Sequence, residues 1–141
     1  MSFVLDASVA LLWLVPETNP AGVDYASATL KALKESQAIV PSLLTLEVAN
    51  VVAKVEFKGL VAEADSQRLL ALLGRLNIVT DQATAAHALG DTLNLARHYK
   101  LSAYDAAYLE LALRKGLPLA TLDANLAKAA TTAGVPIFGM H

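Results

Sequence analysis

The chain has 141 residues, of which 55% are hydrophobic and 17% charged, and it carries a formal net charge of −2 and no cysteine. This length is that of one ordinary domain, so we expect a single domain over residues 1–141. The lack of cysteine excludes a disulfide framework, a zinc–thiolate site and a cysteine nucleophile, and the mild acidity argues against a broadly basic nucleic-acid-binding surface.

Strands alternate with helices in the first part of the chain. The run SFVLDAS is β-branched and aromatic, and it predicts a buried strand over residues 2–6, followed at once by a helix that Pro16 ends. Because no signal peptide precedes this strand and no apolar run is long enough to span a bilayer, we expect a cytoplasmic protein. A second helix is predicted over 21–36 and a second strand near 38–40.

A long apolar helix follows, with Ser42 as its predicted N-cap and Gly59 at its end. The later elements, in chain order, are a helix over 62–74, a strand over 76–80, a helix over 83–98, a helix that ends at Gly116, a strand in LPLATLD, a helix over 124–133 and a last strand in VPIFG. This alternation predicts a mostly parallel sheet with helices on both faces, joined by right-handed crossovers.

Four acidic residues from distant segments are expected at one edge of this sheet. Asp6 ends the first strand, and Glu47 lies in the second turn of the helix after the second strand. Asp105 opens the helix before the fourth strand, and Asp123 follows that strand. In an open parallel sheet, the carboxyl ends of the strands and the starts of the next helices form the ligand-binding edge. Glu47 is the most informative, because its helix is apolar on almost every side and a carboxylate there must be paired or bind a cation.

Converging carboxylates repel one another unless a cation neutralises them. Since the chain offers oxygen ligands and no thiolate, the expected ion is Mg²⁺ or Mn²⁺. Such an ion favours phosphate chemistry, because it lowers the pKa of a bound water and stabilises charge on phosphoryl oxygens. The histidines are far apart in sequence and are not expected to be ligands: His87, His98 and His141.

Asp105 also has a purely structural interpretation. Ser102 and Asp105 have the spacing of a helix capping box, in which each side chain bonds a free backbone N–H of the other residue. Asp6 and Asp123 could likewise be simple N-caps of the helices that follow them. The other acids are expected on solvated surfaces: Glu17, Asp24, Glu35, Glu56, Glu63, Asp65, Asp81, Asp91 and Glu110.

The four acidic segments read FVLDASVAL, VPSLLTLEVANVV, LSAYDAAYLELAL and PLATLDANLAKAA. In this order and at this spacing, the chain resembles the PIN-domain proteins, and among them the VapC-type ribonuclease toxins of prokaryotic toxin–antitoxin systems. The resemblance covers essentially the whole chain. It implies a three-layer α/β/α sandwich around a short, mostly parallel sheet, Mg²⁺- or Mn²⁺-dependent cleavage of RNA phosphodiester bonds, a homodimer and a cognate antitoxin.

The resemblance also implies roles for single residues. Asp6 and Asp105 would be direct metal ligands, and Asp123 would bind the metal directly or through water. Glu47 would bind a second ion or orient the attacking water. The expected supporting residues, which hold carboxylates or waters or match a frequent amide of the family, are Ser8, Thr121 and Asn50.

RNA binding and antitoxin binding need further surfaces. The candidate cations for RNA phosphates are Arg97, Lys100, Lys54 and Lys58. The apolar segments over 11–14 and 51–57 are candidates for a groove that binds an amphipathic antitoxin helix, although core packing is the preferred interpretation of Trp13. The chain departs from expectation in charge, because mild acidity is unhelpful to an enzyme that acts on RNA.

Two other classes remain open at this point. A haloacid-dehalogenase-like phosphatase would use the first-strand Asp as a nucleophile, but it needs a second Asp where this chain has Ser8. A receiver-like signalling domain would accept a phosphoryl group on an Asp. It needs adjacent acids after the first strand and a Lys near the last strand, and the segments LDAS and VPIFG supply neither.

Overall fold

The computed structural model describes residues 1–139. Its strands are β1 (Ser2–Leu5), β2 (Gln37–Pro41), β3 (Ile78–Asp81) and β4 (Leu119–Ala120). Its α-helices are α1 (Ala7–Ala10), α2 (Val23–Ala32), α3 (Leu44–Phe57), α4 (Glu63–Arg75), α5 (Thr84–His87), α6 (Leu93–Tyr99), α7 (Ala103–Lys115) and α8 (Ala124–Thr132). Short 3₁₀ turns cover Leu11–Trp13, Pro16–Thr18 and Pro20–Gly22.

The four strands form one parallel sheet in the order β3-β2-β1-β4. Parallel pairing requires a crossover between successive strands, and the helices supply these connections. The result is the predicted three-layer α/β/α sandwich, which is therefore confirmed. No helix within residues 1–139 is both long enough and apolar enough to cross a membrane.

The core lies around the two inner strands and α7. Phe3, Val4 and Leu5 of β1 are completely buried, as expected for a parallel strand covered on both faces. The Phe3 ring stacks on that of Phe138, with centroids 3.9 Å apart. Every residue over 106–112 of α7 is also buried, so this helix passes through the middle of the molecule. The carboxyl edge of the sheet is thus held by a rigid central element.

The predicted ends of two helices are confirmed, and one predicted start is wrong. Gly59, two residues after α3, and Gly116, directly after α7, adopt φ values of 71° and 65°, a left-handed conformation that favours glycine. Ser42, in contrast, does not cap α3, whose N-cap position is Leu43. The Ser42 N–H donates to the Thr84 hydroxyl at 3.0 Å, because the start of α3 packs beside the start of α5.

Two predicted helices are less regular than their sequence pattern indicates. The helix before Pro16 tightens to a 3₁₀ turn over Leu11–Trp13. The helix predicted over 83–98 contains a wider π turn over Ala88–Thr92, where Gly90 lowers the preference for α-helix.

The C-terminal strands are shorter than predicted. β4 has only two residues, and the last predicted strand is reduced to a single bridge between Leu119 and Ile137. Pro118 and Pro136 flank these positions and have no N–H to donate, which limits the ladder to a few bonds.

Candidate active site

One pocket of about 270 Å³ brings together the four predicted acids at the carboxyl edge of the sheet. Asp6, Glu47, Asp105 and Asp123 all line it, although they come from four distant segments. Its other lining residues are Ala7, Ser8, Leu11, Asn50 and Val51. The edge rule for parallel sheets therefore places these side chains correctly, and their catalytic role stays a prediction.

Asp6 lies directly after β1 and is only 4% exposed. It occupies the N-cap position of α1 but makes no side-chain capping bond, so simple capping does not account for it. Its Oδ2 accepts hydrogen bonds from the Ser8 hydroxyl at 2.6 Å and from the Thr121 hydroxyl at 2.8 Å. Burial raises the pKa of Asp6, the two hydroxyls oppose that rise, and the charge of Asp123 adds to it.

Ser8 and Thr121 connect Asp6 to the segment that carries Asp123. Ser8 Oγ accepts the Leu122 N–H at 2.9 Å, and Thr121 Oγ1 accepts the Asp123 N–H at 3.0 Å. Each hydroxyl thus receives a bond from the backbone after β4 while it donates to Asp6. The two predicted supporting hydroxyls hold two of the four acidic segments in register.

Asp123 has a structural role in addition to its place in the pocket. Its Oδ1 accepts the Leu126 N–H at 2.8 Å and caps α8. The second oxygen, Oδ2, accepts no hydrogen bond from the residues that the structure describes. Capping by one oxygen therefore leaves the other for a ligand in the pocket.

The structure shows one of the two hydrogen bonds of the predicted capping box at Asp105, because the described residues contain no bond from the Ser102 N–H to the Asp105 carboxylate. Ser102 is the N-cap of α7 and its hydroxyl accepts the Asp105 N–H at 3.1 Å, as a capping residue does. The Asp105 side chain nevertheless lines the acidic pocket. The pKa of Asp105 is raised to about 6, mainly by burial and also by the charges of Asp123 and Asp6, while the hydrogen bond with Ser102 opposes the rise.

Tyr108 is a member of the site that the sequence pattern did not reveal. Its side chain is fully buried, and its hydroxyl donates to Glu47 Oε1 at 2.6 Å. Burial is the main cause that raises the pKa of Glu47; this hydrogen bond opposes the rise, and the charges of Asp6 and Asp105 add to it. The available signal was a tyrosine three residues after Asp105, in an apolar helix. A buried tyrosine needs a hydrogen-bond partner for its hydroxyl, and this need could have pointed to a polar contact here.

The donor set fits a hard divalent cation. All four acids offer oxygens, and burial, together with their mutual repulsion, raises the pKa values of Asp6, Glu47 and Asp105. Among residues 1–139, no three acids or histidines stand close enough to form a ready-made metal site. A cation such as Mg²⁺, which keeps several of its waters, suits carboxylates that surround a pocket at this wider spacing.

The four predicted RNA-binding cations lie outside the lining of this pocket. Arg97 donates to Asn94 of its own helix at 3.3 Å. Lys54 lies in the last turn of α3, about 10 Å along the helix axis from Glu47. Lys58 follows the end of that helix, and Lys100 lines a separate cavity.

Two acids that were expected on solvated surfaces belong to an ion-pair network instead, in which Glu110 is buried and Asp81 is partly buried, so that expectation is wrong for them. Glu110 is 5% exposed, and its Oε2 accepts from Arg114 Nε at 2.8 Å. Arg114 Nη2 also donates to Asp81 Oδ2 at 2.7 Å. These hydrogen bonds from Arg114 are the main cause that lowers the pKa of Asp81. The reason is the central position of α7, which turns even the charged face of this helix inwards.

The described histidines do not line the acidic pocket. His87 Nδ1 lies 3.6 Å from Asp91 and 3.9 Å from Glu110, and the His98 ring packs edge-on against Tyr99. His141 lies outside the described residues. The core interpretation of Trp13 is supported, since its Nε1 donates to the Ala26 carbonyl at 2.9 Å and its ring packs against the core.

The fold and the site define a parallel α/β protein with an acidic pocket at the carboxyl edge of its sheet. The chain belongs to the PIN domain family, whose family model matches residues 3–131. This membership confirms the resemblance inferred from the four acidic segments, and it decides against the phosphatase and receiver alternatives.

Several known proteins are similar to this chain. Ribonuclease VapC3 of Pyrobaculum aerophilum is 31% identical over 128 residues, which is 91% of this chain and 94% of the relative. The crystal structure of PAE2754 from P. aerophilum matches with a TM-score of 0.64 and 23% identity, covering 92% of this chain and 79% of that one. VapBC2 of Rickettsia felis, solved bound to a DNA fragment from its promoter, gives a TM-score of 0.67 at 17% identity, with 97% of each chain covered. These two structures share the fold.

Proposed function

We propose that the protein is a metal-dependent endoribonuclease, built as a single PIN domain over residues 1–141, and the toxin component of a toxin–antitoxin pair. The observation that carries this proposal is the convergence of four acids from four segments on one pocket of a PIN-family chain. The similarity to Ribonuclease VapC3, which extends over nearly the full length of both chains, supports RNA as the substrate. The proposal places the protein in the cytoplasm.

The acids of the pocket would hold Mg²⁺ or Mn²⁺, with Asp6 and Asp105 as direct ligands and Asp123 as a ligand through its uncapped oxygen or through water. When bound, the ion lowers the pKa of a water and stabilises charge on phosphoryl oxygens. Glu47 either binds a second ion or orients the attacking water. Its Oε2 accepts no hydrogen bond from the described residues, so it is available to take a proton from that water.

The supporting residues act by fixing the acids. Ser8 and Thr121 hold the Asp6 carboxylate in one orientation through Oδ2, and this leaves Oδ1 for the pocket. Asn50 lines the same pocket and offers an amide to a substrate oxygen or a water. Such positioning matters, because displacement of a reacting group by about 1 Å costs about a hundredfold in rate.

The expected partners are an antitoxin and a second copy of the chain. Large apolar side chains are exposed on and after α3, with Leu46 at 75%, Phe57 at 87% and Leu60 at 62%. A separate apolar groove runs between α3 and α4, and its lining includes Leu70 of α4 and, from the predicted 51–57 segment, Val52 and Ala53. Surfaces of this kind suit protein partners. Trp13, in contrast, belongs to the core and not to this surface.

Asp6→Asn tests the proposed function directly. The wild-type protein should cleave RNA in the presence of Mn²⁺ or Mg²⁺. Cleavage should stop when a chelator is added, because the acids act through the cation. Asp6→Asn should cleave at least about a hundredfold more slowly, since it loses a ligand charge in a buried position. Cleavage products are measured on a denaturing gel. Equal, chelator-insensitive cleavage by both proteins would overturn the mechanism.

Tyr108→Phe should lower kcat about tenfold with little change in KM, because the ring still fills its buried place while Glu47 loses its hydrogen bond. Tyr108 is a positioning residue in this mechanism, so the ratio of the effects on kcat and KM is the decisive measurement. Tyr104→Phe is the matched control, since it lies on the same helix and is 67% exposed. Unchanged kcat in Tyr108→Phe would show that Glu47 does not depend on this bond.

A further inference from the structure

A second polar cavity, of about 290 Å³, lies between the end of α6 and one face of α8. Its polar lining consists of Tyr99, Lys100, Asn125, Lys128 and Thr132. We propose that this cavity, which we call the lysine cavity, binds the RNA backbone next to the phosphodiester bond that is cut. This proposal rests on the proposed function and adds the place where the substrate is held.

The position of the lysine cavity relative to the acids follows from the chain. Lys100 is two residues before Ser102, the N-cap of the helix that presents Asp105. On the opposite wall, Asn125 is two residues after Asp123. Asn125 therefore lies within about 8 Å of Asp123, because consecutive Cα atoms are about 3.8 Å apart, and Lys100 is five residues before Asp105. In this proposal, a single RNA strand with one phosphate at the acids extends to the cavity, whose two walls adjoin the segments that carry Asp105 and Asp123.

The charge of the lysine cavity is opposite to that of the acidic pocket. It is lined by two lysines and no carboxylate, and neither lysine takes part in an ion pair among the residues that the structure describes. The acidic pocket cannot attract RNA phosphates by itself, and the whole chain is mildly acidic. Phosphate contacts by cations supply most of the affinity for RNA, so they must come from such a local basic site.

The other lining groups suit a nucleotide as well. The Asn125 amide can donate to a phosphate or sugar oxygen, and the half-buried Tyr99 has an aromatic ring of the kind on which bases stack. Lys100 has a φ of 55°, a left-handed conformation at a helix end where glycine is the usual residue. A lysine at this position keeps a positive charge at the cavity where glycine would carry none.

RNA fits this cavity better than a protein partner does. The surface of this chain that suits a protein partner is the apolar groove between α3 and α4, together with the exposed Leu46 and Phe57 on α3. The lysine cavity is polar, and its charges are those that bind phosphates. The two surfaces therefore divide the binding of RNA and of protein between different helices.

The test compares two double variants with the same change in charge. Lys100→Gln/Lys128→Gln removes the cations of the lysine cavity. Lys31→Gln/Lys34→Gln is the control, because these exposed lysines lie at the end of α2, just before β2 and therefore at the opposite edge of the sheet. All proteins carry Asp6→Asn to prevent cleavage. Binding of a labelled, mixed-sequence single-stranded RNA of about 16 nucleotides is measured by fluorescence anisotropy at several salt concentrations.

The cavity variant should bind RNA about tenfold more weakly, and its slope of log affinity against log salt should fall by about 1.4, since each neutralised phosphate of a single strand contributes about 0.7. The RNA affinity of the control should stay within about twofold of that of its parent, and Lys100→Arg/Lys128→Arg should restore both affinity and slope.

Equal binding and equal slopes in the cavity variant and the control would overturn the proposal. Loss of binding without any metal-dependent cleavage by the wild-type chain would support the cavity but contradict the proposed function. Metal-dependent cleavage by the wild-type chain, together with unchanged RNA binding by the cavity variant, would support the proposed function but contradict the role of the lysine cavity.

Discussion

Asp105→Asn is expected to cleave RNA at least about a hundredfold more slowly than the wild-type chain, while its metal-free form is more stable. Activity falls because the pocket loses a ligand charge. Stability rises because burial and the charges of Asp123 and Asp6 oppose the ionised form of Asp105, whose pKa is raised to about 6. Since the side chain is only half-buried, solvent screening reduces the gain at neutral pH to about 1 kcal/mol, or about 3 °C in the unfolding temperature.

The pH dependence of this stability gain has a definite sign. A carboxyl group with a raised pKa in the folded chain destabilises that chain above its folded pKa, because the unfolded chain accepts the charge more readily. The advantage of Asp105→Asn should therefore be complete above about pH 6, shrink as the pH falls, and vanish below about 4, where both states of the wild type are protonated. Thermal unfolding at several pH values in the presence of a chelator measures the difference in stability between Asp105→Asn and the wild type. Glu35→Gln, which makes the same charge change at an exposed position, is the control.

Asp105→Glu separates the two roles of this residue. Glutamate suits the third position of a capped helix at least as well as aspartate, but it moves the carboxylate outwards by one methylene. We expect this variant to fold normally and to cleave poorly. Full activity of Asp105→Glu, or equal stability of Asp105→Asn and the wild type at neutral pH, would contradict a role in metal binding and favour a purely structural role for Asp105.

Arg114→Met should destabilise the protein by about 3 kcal/mol, because it leaves two nearly buried carboxylates without their partner. The side chains of Glu110 and Asp81 are 6% and 8% exposed, and Arg114 contacts both. Arg68→Met is the matched control, since its pair with Asp65 is exposed at 77% and 54% and contributes at most about 0.5 kcal/mol. Denaturant unfolding gives the free energy of unfolding of both variants. Similar decreases in this free energy for Arg114→Met and Arg68→Met would contradict a special role for the buried network.

The contribution of this network also depends on pH. The hydrogen bonds from Arg114 lower the pKa of Asp81 below its usual value. Stability from such a group is present above the pKa of the unfolded chain, about 3.9, and is lost as the pH falls through the lower folded value. The difference between wild type and Arg114→Met should be constant from about pH 5 to 7 and decrease below about pH 4.

The sequence by itself predicted the layers of the fold and the acids that meet in the pocket. The spacing of hydrophobic residues and the local composition are signals that each segment carries by itself, and the alternation of strands and helices leaves few possible topologies. Once the sheet is parallel, Asp6 and Asp123 must lie at its carboxyl edge, because each directly follows a strand. The family resemblance rested on the same segments and is confirmed by the match over residues 3–131.

The tertiary structure alone decided which side chains pair. Tyr108 and Glu47 are 61 residues apart, and Arg114 and Asp81 are 33 apart, so no local pattern records either contact. The solvated assignment of Glu110 was wrong for the same reason: its burial depends on the passage of α7 through the middle of the molecule. Ser42 has the composition of a cap, but its N–H bonds to Thr84 from another segment. A sequence determines where each residue stands along its own strand or helix, whereas burial and partners depend on what the other elements bring against it.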